Sequence, residues 1–177
     1  MADTCWRGWS SGVRWVLVAI FVISLVTWAM GCAFTERLAG AELRTSPTSE
    51  RISSAEVYFY AAGFPMATML AAAIDFALHT RGWLSPIVSI IWSLIAFGIW
   101  LFVLTMWGVT EYSPDTGGWL PLYVYRDEPY GSNLYYPRIA LGSVAAILAL
   151  VQLSFASRAV ELERKERKSK ISKLEHA

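Results

Sequence analysis

PIVSIIWSLIAFGIWLFVLTMW, residues Pro86–Trp107, contains no charged side chain. A helix needs about 20 consecutive apolar residues to cross a ~30 Å hydrocarbon core, and this stretch supplies them. Core helices of soluble proteins rarely run 18 or more residues without a charge. The stretch therefore predicts a transmembrane helix, and it directs attention to others like it. One lies on the N-terminal side, from about 13 to 34, and is uncharged between Trp15 and Phe34. Another runs from about 57 to 78 and is interrupted by Pro65 and by one acid, Asp75. A third, about 139–157, is uncharged. A chain of 177 residues cannot build a soluble core large enough to hide four such segments. A β-barrel would need alternating segments of about ten residues, and these are absent.

Composition agrees. Hydrophobic residues make up 55% of the chain and charged ones 16%, against about 45–50% and about 25% in soluble domains. The first segment is too long for a secretory signal peptide, whose apolar part spans only about 7–15 residues. It is read as a retained span.

The net charge of +1 conceals its distribution. Arg7 and Arg14 precede the first span, Arg81 sits in the short second connection, and all four lysines lie in the tail after Ser157. The two longer connections, 35–56 and 108–138, mix arginines with acids. Basic residues in short flanking segments mark the cytoplasmic side. The expected architecture is thus all-α, a transmembrane four-helix bundle with cytoplasmic N- and C-termini. Residues 1–12 form the N-terminus, 13–157 the membrane domain and 158–177 a basic helical tail. Trp15, Trp28, Trp83, Trp107 and Trp119 are expected at headgroup depth, and Trp92 and Trp100 as deeper packing residues.

Helices in lipid associate through small side chains. Gly63, Ala67 and Ala71 recur at four-residue steps, and the same spacing continues through Asp75 and His79. Gly142 with Ala146 offers a second such pair. Asp75 is the sole acid within a predicted span, about one turn from the cytoplasmic end. A local bond to His79 or Arg81 would satisfy it, or it could lock helices together. No other strongly polar residue stands out at mid-depth, and Ser89, Ser93 and Thr105 are expected to bond their own helix. Pro65 beside Gly63 predicts a distortion of the second helix.

Six tyrosines crowd the second outer connection or its end, with turn signals at Pro114-Asp115 and Gly117-Gly118. Leu120–Tyr125 suits a short strand. The first connection, around Ser46–Ser49, reads as a solvated linker. In the tail, Glu161–Lys165, Glu163–Arg167 and Glu166–Lys170 are i,i+4 pairs of the better orientation. Arg164, Lys165, Arg167, Lys168, Lys170 and Lys173 form a basic face suited to anionic lipid. Cys5 lies near the first span and is a candidate acylation site. Cys32 lies at the span's far end, roughly 30 Å away, beyond disulfide reach within the chain. Neither metal spacing nor a nucleophile–base pair occurs, so no catalytic residue, metal or cofactor is assigned.

The plan of four spans from Val13 to Ser157, cytoplasmic ends and two modest outer loops resembles the tetraspan families. It is most similar to the MARVEL-like group, in particular its small fungal members. The paired-cysteine outer loop of claudins and tetraspanins is missing. The resemblance implies an organiser of membrane domains or traffic in the plasma membrane or an endomembrane, not an enzyme. It implies lipids, membrane-protein partners or self-association as partners, and no nucleic acid. An accessory subunit of a larger complex and an oligomeric transporter or channel using Asp75 and His79 are the alternatives.

Overall fold

The computed structural model describes the backbone at Trp6 and over residues 10–45, 58–112 and 130–175, and side-chain environments at Trp6, 10–36, 58–59, 61–108 and 136–173. The described residues form four long helices and contain no strand. These are α1 (Ser10–Thr45), α2 (Phe64–Thr80), α3 (Pro86–Tyr112) and α4 (Tyr130–Glu175). A π-helical turn, Phe59–Gly63, leads into α2. The predicted Leu120–Tyr125 strand, the Ser46–Ser49 linker, Trp119 and Cys5 lie outside the described residues.

All four helices are long and apolar enough to span a membrane, and only 22–33% of each span's most apolar window is buried inside the protein. The distribution of side chains is the reverse of a soluble fold. Val22, Leu25, Leu70, Ile74, Ile91, Leu94, Leu101 and Ile147 face outward, whereas Ser24, Thr27, Asp75, Ser89, Ser93 and Gln152 are buried. In water that outer surface would be costly at roughly 25 cal/mol per Å². Against lipid tails it costs nothing, and most of the polar groups find partners inside. The chain is an integral, multi-pass membrane protein.

Most hydroxyls that enter the apolar layer bond the preceding turn of their own helix; Ser24 Oγ is buried without a partner among the described residues, and Ser89 Oγ, expected to bond its own helix, instead meets Gln152. Thr27 Oγ1 donates to Ile23 O (2.8 Å), Thr68 Oγ1 to Phe64 O (3.0 Å), Ser93 Oγ to Ser89 O (2.7 Å) and Thr105 Oγ1 to Leu101 O (2.8 Å). Such bonds let Ser and Thr sit in lipid-embedded helices without an exposed donor.

α1 packs along α2 and α4, and α4 packs most extensively on α3. α2 and α3, although joined by a short turn, scarcely touch beyond it. The helices are therefore arranged α2–α1–α4–α3, with an open seam between the first and the last. The turn that joins these two is well determined. Gly82 takes φ 70°, the left-handed conformation that ends a helix and that a Cβ disfavours. Its N–H reaches His79 O (3.0 Å), and Trp83 N reaches Leu78 O (2.9 Å). Pro86 then opens α3 at its first helical position, where its missing N–H costs nothing.

Two apolar clusters hold the bundle. At the end bearing Arg14, Arg81 and Arg158, Trp6, Val13, Leu17, Leu84, Ala156 and Ala159 pack together. Toward the other end Trp100, Val103, Trp107, Ala145 and Ala146 do so. Tail residues Arg164, Lys165, Arg167, Lys168, Lys170 and Lys173 continue α4 and are all exposed. Glu161–Lys165 (2.8 Å) and Glu163–Arg167 are paired as the spacing predicts.

Candidate functional site

Polar and small residues concentrate at three levels of the bundle. The first lies within the membrane layer near the basic end. Asp75, buried on α2, accepts through Oδ2 from Gln152 Nε2 of α4 at 3.2 Å. The same amide reaches Ser89 Oγ of α3 at 3.3 Å. Gln152 thus ties together the two helices that otherwise stand apart. His79, one turn beyond Asp75, turns to α1, with Nε2 3.3 Å from Ser10 Oγ, and it meets the Trp6 ring edge-on at 5.5 Å between centroids. Trp6 donates through Nε1 to Leu84 O (3.2 Å) and closes the bundle's end. Asp75 and His79, expected as one polar pair, thereby serve two different helix contacts.

Immediately above Gln152 the seam between α2 and α3 opens into a cleft of about 70 Å³. Ala67 and Ala71 line one side, Trp92 and Ile95 the other, and Ala145 and Ala149 lie at its back. The small-residue stripe of α2 therefore divides. The residues of α2 and its π-turn buried inside are Ala61, Ala62, Pro65, Thr68, Ala72, Asp75 and His79, whereas Ala67 is exposed and Ala71 half-buried at the cleft. Gly63 is half-buried, its nearest neighbour beyond the backbone being the Phe59 ring of its own turn. Trp92, expected as a packing residue, is 47% exposed at the mouth of the cleft, while Trp100 is buried as expected.

The second level is the close crossing of α1 with the π-turn. Pro65 has no N–H for the carbonyl four residues back, that of Ala61, and its ring crowds that carbonyl. The widened π-turn accommodates both, and Gly31 of α1 lies directly against Ala61 O and Ala62 Cα. The predicted distortion at Pro65 is thus the socket for a glycine on another helix. On α4, Gly142 plays a comparable part, since a Cβ there would meet Leu104 at 2.9 Å and the Trp100 ring at 3.1 Å. Ala146 is buried in the same contact.

The third level lies at the opposite end. Arg138, 1% exposed, places its guanidinium 4.4 Å from the Phe34 ring centroid and 4.2 Å from that of Trp107. One side chain of α4 thereby grips α1 and α3. Trp107, expected at headgroup depth, is buried beneath it. Trp15 and Trp83 are each 72% exposed.

Among the described residues no group of three or more His, Cys, Asp or Glu side chains could hold a metal ion. Trp6, Gly31, Arg138 and Gln152 escaped the sequence reading. Gln152 is uncharged and sits in an otherwise apolar run, so hydropathy averaging conceals it. Arg138 falls at the last residue before the predicted span. Comparison of the chain with protein-family profiles, curated protein sequences and solved structures finds no match.

Proposed function

We propose that this is a non-enzymatic membrane protein that works by lateral association with lipids and with membrane-protein partners or further copies of itself. In that role it organises membrane domains or scaffolds membrane traffic. The observation that supports the reading best is the open seam. A bundle that served only as a compact plug would close α2 on α3, yet here Ala67 and Ala71 present low relief beside Trp92 and Ile95. Small residues permit close approach of a neighbouring helix or acyl chain, the principal source of helix affinity in lipid. The MARVEL-like plan supports the same role, and cytoplasmic termini follow from the basic end of the bundle.

The test fills the seam. Ala67→Leu with Ala71→Leu adds side chains where the cleft is open and leaves the buried face of α2 untouched. The variant should keep the wild-type melting temperature in detergent. It should lose self-association or partner retention, read by size-exclusion with light scattering in mild detergent. Assembly unchanged by the double substitution would discard the seam as the associating surface.

The Asp75–Gln152–Ser89 network favours a second reading, an oligomeric transporter or channel, because buried polar groups in spans mark ion pathways. The same bundle also buries the apolar Trp100–Val103–Trp107 cluster, which offers no charged group to an ion. Flux through reconstituted protein that Asp75→Asn abolishes would establish that reading in place of the first.

A further inference from the structure

Beside the polar network, a separate cavity of about 60 Å³ opens at the basic end of the bundle. It lies between the start of α1 and the α2–α3 turn, and Trp6, Ser10, Arg14, His79, Thr80 and Gly82 line it. One water needs about 10–15 Å³ on this measure, so the space suits a group of four or so oxygens rather than a single solvent molecule. Its chemistry is that of an anion site. Arg14 brings a guanidinium, Ser10 and Thr80 bring hydroxyls, and His79 brings a buried ring. Among the described residues no carboxylate lines it. Asp75 is one turn deeper and accepts from Gln152, while Glu161 is paired with Lys165.

The start of α1 turns the positive end of its dipole toward this space, and the end of α2 turns the negative end of its own. Those contributions oppose each other, which leaves the sign to Arg14, with Arg81 and Arg158 exposed at the same end. Depth supplies the second argument. Trp15 follows Arg14 and Trp83 follows Gly82, and their exposed rings mark the layer in which lipid headgroups lie.

We propose that this cavity binds a phosphate group, with Arg14 as its principal ligand and Ser10 as a hydroxyl donor, the Thr80 hydroxyl being bonded to Ala77 O at 2.9 Å. A phospholipid headgroup and a soluble phosphate share that chemistry, and the experiment separates them. Full-length protein in neutral detergent is titrated with phosphatidic acid, with phosphatidylcholine, and with inorganic phosphate, and retained ligand is counted by native mass spectrometry. Wild type should retain phosphatidic acid over phosphatidylcholine, and Arg14→Gln should weaken that retention by about fivefold, the effect of removing one basic residue from an anionic headgroup layer. Arg158→Gln, exposed and outside the cavity, should leave it unchanged.

Retention of lipid that inorganic phosphate does not displace assigns a headgroup. Binding of inorganic phosphate itself, with displacement of the lipid, assigns a soluble ligand. Equal retention of phosphatidic acid by wild type and Arg14→Gln, or no preference in wild type together with no phosphate binding, overturns the proposal. Should Arg14→Gln fail to fold, Ser10→Ala is read by the same criteria.

Discussion

A single arginine and a single glycine set the helix spacing at the end away from the basic cluster. Arg138 lies between the Phe34 and Trp107 rings. Each cation–π contact is worth from about 0.5–1 kcal/mol when exposed to about 2 or more when desolvated. Arg138→Ala should therefore destabilise the bundle by roughly 1–4 kcal/mol for the pair, seen as a lower melting temperature in detergent. A variant as stable as wild type would mean the rings do not hold the cation. Gly31 and Gly98 make a sharper comparison. A methyl at Gly31 runs into backbone of the π-turn, whereas one at Gly98 meets nothing within 4 Å. Gly31→Ala should cost about 1–3 kcal/mol as overpacking. Gly98→Ala should be neutral or stabilising by up to about 1 kcal/mol, since Ala favours helix over Gly. Equal effects at the two positions would show that the α1–π-turn crossing is looser than its geometry.

At the scale of elements, the hydrogen bonds of Gln152 couple α4 to α2 and α3. Interhelical bonds in membranes average about 0.6 kcal/mol, with a maximum near 1.7. A double-mutant cycle of Asp75→Ala and Gln152→Ala should give a coupling in that range, with additivity as the contrary result. The number of helices could be read from the chain because a charge-free run such as Pro86–Trp107 has a single inexpensive environment. Their faces were harder to read. The spacing Gly63–Ala67–Ala71–Asp75–His79 is regular, but Pro65 inserts a π-turn ahead of α2, and the buried face passes through Ala61, Pro65, Thr68 and Ala72. A repeat of four per turn also drifts relative to a helix of 3.6. On α4, Ala145 and Ala146 are buried with Trp100, Val103 and Trp107 of α3, and Gly142 lies against Leu104 and Trp100. The partner of Asp75 was invisible because it lies 77 positions along the chain, and no local pattern encodes that distance.

For the molecule as a whole, the charge asymmetry makes a claim that helix packing alone cannot. Arg14, Arg81, Arg158 and the six basic tail residues all belong to one end of the bundle, because α1 begins there, α2 and α3 meet there, and α4 leaves there. An even number of spans keeps both termini on that side whatever its identity. On the proposed reading the basic flanks hold that side to the cytoplasm, since each Lys or Arg near an anionic leaflet contributes about 1 kcal/mol. Cys5 provides a native reporter on the N-terminal flank, and a cysteine replacing Ser172 provides one on the tail. With Cys32 replaced by Ser, a membrane-impermeant maleimide should leave both thiols unmodified in intact cells and modify both once the membrane is permeabilised. Labelling of both before permeabilisation would invert the bundle, and labelling of only one would require an odd number of crossings. The tail itself sharpens the test. Neutralising Arg164, Lys165, Arg167, Lys168, Lys170 and Lys173 together removes most of the bias while leaving the apolar spans unchanged. A mixed labelling pattern in that variant would show that charge, and not helix packing, sets the orientation.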